Sequence, residues 1–214
     1  MKVLKLFLAV SLAGVSACST MYYGAMEKVG IHKREIMVDR IKEARDTQNE
    51  AKEQVLTAME QFKRVVNFEG GDLEKEYNKL NATMEKTQAE ADKVRDRIRS
   101  VEDVSDALFR EWRAEIKQYT SDTLRKASER KYEVTQERYA DFIEAMKQAE
   151  SKLEPVLAVL RDQVLFMKHN LNARAIAGLS DEVVSVQANV DTLVRDMEHA
   201  IAQADSFVAA LQAE

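Results

Sequence analysis

The sequence predicts an all-α fold: an elongated antiparallel helical bundle, or coiled coil, of three to four long helices. Three observations predict it. Apolar residues recur at alternating spacings of four and three, which places them along one stripe of a supercoiled helix. Turn formers are scarce, with six glycines and one proline in 214 residues. Charged residues make up 32% and aromatics 7% of the chain, a composition that suits long solvated helices better than a compact mixed domain.

Residues 1–17 have the parts of an export signal: Lys2 and Lys5, a short apolar run from Leu6 to Leu12, then small residues. The run is far shorter than the roughly 20 residues of a spanning helix. Val15-Ser16-Ala17-Cys18 resembles the lipobox of bacterial lipoprotein signal peptides, in which the cysteine is acylated and becomes the first mature residue. Cys18 is the only cysteine in the chain, so no internal disulfide can form, and acylation would leave no free thiol. The alternative is an ordinary cleaved signal that contains a cysteine. On the lipoprotein reading, residues 18–26 are the lipidated N-terminus and tether, and the acyl chains supply firm membrane attachment. Ser19, where Asp would favour inner-membrane retention in a Gram-negative cell, leans towards the inner leaflet of the outer membrane, facing the periplasm. Tyr22 and Tyr23 suit the headgroup layer or cap the lower end of the bundle.

The remaining chain, 27–214, reads as helices at about 27–67, 73–119, 122–177 and 180–212. The first seam is Met37, Ile41, Ala44, Gln48, Ala51, Val55, Ala58, Phe62 and Val65. Gly70 and Gly71 break it, and Asp72 offers an N-cap. The second runs unbroken from Leu73 through Leu80, Ala91, Ile98 and Leu108 to Trp112. The segment from Tyr119 to Asp122 is a tight connection with N-cap chemistry. In the third run Pro155, the only proline, predicts a kink or a restart, and a mild kink is the simpler reading. Val156 to Leu171 is apolar on more than one face, which predicts burial on most sides. Gly178 and Ser180 should end that helix and cap the fourth. By length, the fourth helix reaches the outer half of the rod, leaving three helices in the inner half.

No catalytic pattern emerges. The chain lacks a phosphate-binding glycine loop, HExxH and Glu-x-x-His pairs, and His32, His169 and His199 have no ligand spacing. The expectation is a non-enzymatic protein with no metal or cofactor. After loss of 1–17 the chain carries 30 basic and 37 acidic residues, a net of −7, which argues against nucleic acid as a partner. Two polar clusters stand out. His32, Lys33 and Arg34 lie at the membrane end with Arg110, Arg113, Lys117, Arg125, Lys126, Arg130 and Lys131. Residues 27–35 and 106–133 are locally +2, a charge suited to anionic headgroups. Lys168, His169, Asn170, Asn172 and Arg174 form a distal tip expected near Asn67 and Asp72. Its amides either cap helix ends or grip a partner such as peptidoglycan or another envelope protein.

The stretches HKREIMVDRIKEARD, NFEGGDLEKEYNKLN, ALFREWRAEIKQY and EPVLAVLRDQVLFMKHNLNARAIAGL resemble the bacterial lipoprotein family catalogued as domain of unknown function 2959. The resemblance covers nearly all of the mature chain. It implies a helical envelope lipoprotein and carries no functional residues with it. The expected role is a membrane-tethered periplasmic scaffold or adaptor; the alternative is a chaperone or carrier of lipid or other apolar cargo, using the Val156–Leu171 belt. Seams of this kind also permit homo-oligomers.

Overall fold

The computed structural model describes residues 32–68 and 70–213. Cys18, the export signal, the tether with Tyr22 and Tyr23, and the expected helix start at 27 lie outside the described residues. Those residues form helices and connections, with no strand among them. The helices are α1 (Lys33–Val66), α2 (Leu73–Ile116), α3 (Asp122–His169), α4 (Ala173–Ala177) and α5 (Ser180–Gln212).

Local chemistry explains most boundaries. α1 stops at Asn67, before Gly70 and Gly71, whose φ angles of +146° and +111° are left-handed values that a Cβ would strain. The Asp72 carboxylate then accepts from the Lys75 amide at 3.0 Å, with Glu74 and Glu76 in the first turn favouring the helix dipole. Ser121 caps α3 in the same way, its hydroxyl accepting from the Leu124 amide.

Two boundaries differ from those expected. The third helix ends at His169 and not near 177. Asn170 donates through its side-chain amide to the Phe166 carbonyl at 3.0 Å, and the Asn172 carbonyl oxygen accepts from the Ala175 amide at 2.9 Å. One asparagine closes a helix and the next opens α4, a local competition that apolar periodicity does not register. Ser180 does not cap α5; it is the first helical residue, its hydroxyl donating to the Ala177 carbonyl, and Leu179 precedes it without a side-chain cap. Pro155 lies inside α3, which runs through it. The ring is exposed, on the side where water can satisfy the freed carbonyl. Ser151, four residues before Pro155, donates its hydroxyl to the Gln148 carbonyl, and no new helix starts at the proline.

Ion pairs give the register. α1 and α2 are joined by Glu43–Arg97 and Lys33–Glu111 at 3.0 and 3.1 Å, and α2 and α3 by Arg95–Glu150 at 2.9 Å. Lys152 pairs with Asp196 between α3 and α5. Arg45–Asp205 at 2.6 Å and Lys52–Glu198 at 3.7 Å join α5 back to α1. Partner numbers fall as residue numbers rise, so neighbours are antiparallel and the four long helices run up, down, up, down around one core. Each pair keeps at least one partner partly open to solvent, and such pairs contribute about 1 kcal/mol or less. The stability comes from the interior, where Met37, Ile41, Phe62, Leu80, Phe142, Leu153, Leu157 and Met167 are fully buried. Each such side chain contributes about 1.5–3 kcal/mol.

The layering differs from the expected one. Leu211 and Gln212 of α5 lie beside Arg34, Val38 and Lys42 of α1. The last helix therefore descends almost to the start of the first, and four helices surround the core along nearly all of α1. Below Lys33, which pairs with Glu111, only α2 and α3 continue among the described residues, as a hairpin of about 10 Å. The shorter third helix is the reason: ending at His169, it lets α5 start lower. The Val156–Leu171 belt is also not buried on most sides. Val156, Leu157, Leu160, Val164 and Met167 are buried, whereas Leu165 and Phe166 are 54% and 42% exposed.

Candidate functional sites at the two ends of the bundle

At the base, aromatic rings tie the α2–α3 hairpin to the four-helix body. Trp112 meets Tyr132 edge-on at 5.6 Å. Phe109 packs edge-on against Tyr132 and Tyr139, at 5.7 and 5.4 Å. Tyr139 leans on Phe142 and Phe207, and Phe142 stacks on Phe207 at 5.6 Å. Such contacts are worth about 0.5–1.5 kcal/mol each beyond area burial. They hold the hairpin rigid where α5 has ended. Sequence reasoning missed this ladder. Its signal was the gathering of Phe109, Trp112, Tyr132, Tyr139 and Phe142 within 34 residues of a chain that is 7% aromatic.

Of the expected basic cluster, His32 is exposed at the N-cap position without a side-chain cap. Lys33 reaches Glu111, and the Arg34 guanidinium lies 5.8 Å above the Trp112 ring. Arg113 donates to the Tyr132 hydroxyl at 2.7 Å. The cluster is thus assembled at one end, with several of its charges engaged by neighbours. Between α2 and α3 here lies an open groove of about 450 Å³, lined by Leu108, Trp112, Tyr119, Leu124 and Arg34 among others.

Burial pushes the Tyr139 hydroxyl up to about 12, outweighing a lowering hydrogen bond with Ser105. Its pKa is thus raised above the ordinary value near 10. The folded state holds the proton more tightly, so this contribution is intact below pH 10 and is lost as pH rises towards 12. Alkaline denaturation followed by circular dichroism should show stability falling in that window, and Tyr139→Phe should flatten the fall.

At the distal end, α4 packs against α1. The expected tip residues divide by role. Asn170 and Asn172 are spent on helix capping. Lys168, His169 and Arg174 are exposed. Beside them lie the outward side chains Leu165, Phe166, Leu171 and Val184, at 54%, 42%, 36% and 72% exposure. The other large exposed hydrophobics are Tyr119, Leu124 and Val134, towards the base. The waist between the two ends carries none among the described residues. No group of three or more His, Cys, Asp or Glu side chains is placed to hold a metal among those residues, and no described helix is long and apolar enough to cross a membrane.

Fold and ends together define an up-and-down four-helix rod whose large exposed hydrophobic side chains, among the described residues, lie towards its two ends beside charged groups. Residues 22–211 match the family described as protein of unknown function (DUF2959), and the chain belongs to that family. No curated protein and no solved structure matches it.

Proposed function

We propose that the protein is a lipid-anchored scaffold or adaptor of the bacterial cell envelope, without chemistry of its own. Acyl chains on Cys18 hold its base at the periplasmic face of the outer membrane. The distal end then meets a partner, an envelope protein or peptidoglycan, roughly 70 Å away, the length of a 48-residue helix. The observation that carries this reading is the confinement of outward apolar side chains to the two ends of a closed rod. An exposed apolar patch beside basic groups favours a partner surface, and the lipobox favours the membrane at the opposite end.

Cells fed an alkyne analogue of palmitate should label the unaltered protein and leave Cys18→Ser unlabelled. A photo-crosslinker at Leu165 should form adducts that one at the waist position Gln203 does not. Label retained by Cys18→Ser, or equal crosslinking at both positions, sinks the reading. A carrier of apolar cargo is the second reading, favoured by Leu165 and Phe166; it requires cargo bound within a bundle opened along α3. Saturable uptake of a hydrophobic dye that is lost in Leu165→Ser with Phe166→Ser would select it.

A further inference from the structure

The turn between α2 and α3 is the lowest point of the described bundle. Below Lys33 these two helices continue alone among the described residues, and Leu124 and Tyr119 stay 58% and 44% exposed there. α3 starts at this turn, and helical side chains lean towards the N-terminus of their own helix. Leu124, Lys126 and Arg130 therefore lean towards the lowest surface, and Tyr119 lies in the turn itself. The groove beside them, lined by Leu108 and Trp112, continues the apolar surface upwards.

Charge distinguishes this end from the other. Residues 110–131 hold seven basic and four acidic side chains, a net of +3 in a chain of net −5. Two of the four acids are paired, Glu111 with Lys33 and Asp122 with Arg125. Lys117, Lys126 and Arg130 are exposed, all within about 12 Å of the start of α3. The distal end also exposes apolar side chains, yet residues 160–186 hold three basic and three acidic side chains and are net neutral. Apolar groups flanked by net positive charge match an anionic bilayer surface. Its headgroup layer takes tyrosine rings, and its phosphates attract lysine and arginine.

We propose that the α2–α3 turn seats directly on an anionic phospholipid bilayer, with Leu124 and Tyr119 entering the headgroup layer and Lys117, Lys126 and Arg130 meeting lipid phosphates. The inference rests on the reading above for the presence of a bilayer at this end, and adds a contact made by the folded chain itself. A lipid on Cys18 confines the base to the membrane. Contact through the turn also sets the axis of the rod, so that its distal end points away from the bilayer.

The test separates seating from anchoring. The full chain is reconstituted in vesicles of phosphatidylethanolamine and phosphatidylglycerol, brominated in the upper part of the acyl chains. A fluorescent amino acid that reports polarity replaces Leu124 or, at the waist, Gln203. Lipid quenching at position 124 should exceed that at 203 at least about threefold. Lys117→Gln with Lys126→Gln and Arg130→Gln, at equal helix content by circular dichroism, should lower the ratio of seated to unseated protein about fivefold per cation. The protein should still float with the vesicles. Replacing the anionic lipid by phosphatidylcholine should have the same effect. Equal quenching at both positions, or quenching at 124 indifferent to both changes of charge, overturns the proposal. A probe at 124 that is blue-shifted before lipid is added also overturns it, because the chain itself or a second copy then covers the turn. Palmitate label on Cys18 without quenching at 124 leaves the anchored reading standing and removes this one. Charge-dependent quenching without label does the reverse.

Discussion

Replacing Phe142 by alanine lowers the unfolding free energy by about 3–5 kcal/mol, read from the urea midpoint at constant slope. Phe142 is fully buried and stacks on Phe207 of α5 at an interplanar angle of 18°, with Tyr139 tilted against it. The site lies where α5 comes down beside α3, a seam whose neighbours are themselves rigid rings. Collapse into the vacated space is therefore limited, and the cost should fall at the upper end of that range. Domains are commonly stable by only about 5–15 kcal/mol, so the variant should melt far below the unaltered protein. Val184→Ser is the control: at 72% exposure it should change stability by no more than about 0.5 kcal/mol. A Phe142→Ala cost below about 1 kcal/mol would mean that α5 is not docked on α3 at this level.

Gln48→Leu should work in the opposite direction and raise stability by about 1–3 kcal/mol. Gln48 occupies a seam position of α1 at 0% exposure, and neither atom of its amide finds a hydrogen-bond partner among the described residues. Burying such a group costs its hydration without return, and leucine of similar length fills the same space without that cost. A single polar residue in an apolar seam restricts register in coiled coils. The stabilised variant should therefore tolerate sliding of α1 more readily, seen as faster amide exchange along α1 despite a higher melting temperature. A lower melting temperature would show that the amide is satisfied in solution and that its removal breaks a bond.

These two positions bear on the proposed role. An adaptor that spans a gap must resist bending, and its stiffness comes from an interior without slack, not from the exposed ion pairs. The aromatic ladder extends that stiffness past the end of α5, where two helices would otherwise splay. On the proposed role, contact with other molecules would fall to the ends, where Leu165, Phe166 and Val184 face out at one and Tyr119 and Leu124 at the other.

Much was legible in the chain itself. Heptad spacing identified the buried stripes, with Gln48 among the seam positions, and the sequence also showed where Gly70 and Gly71 interrupt the stripe and how Asp72 restarts it. Interactions three and four residues apart decide such matters, so no knowledge of neighbours is needed. Only the tertiary structure decided how far each helix descends and which apolar face meets another. The end of α3 at His169 depends on two asparagine side chains competing for backbone groups, and that shift brings α5 down to Val38. Periodicity marked the Val156–Leu171 belt as apolar on several sides, but whether a neighbour covers Leu165 and Phe166 depends on the number and placement of surrounding helices. The ladder from Trp112 to Phe207 joins rings on three helices, and contact between them exists only once the relative heights of those helices are set. A one-dimensional pattern specifies faces; the register between faces is a property of the assembled core.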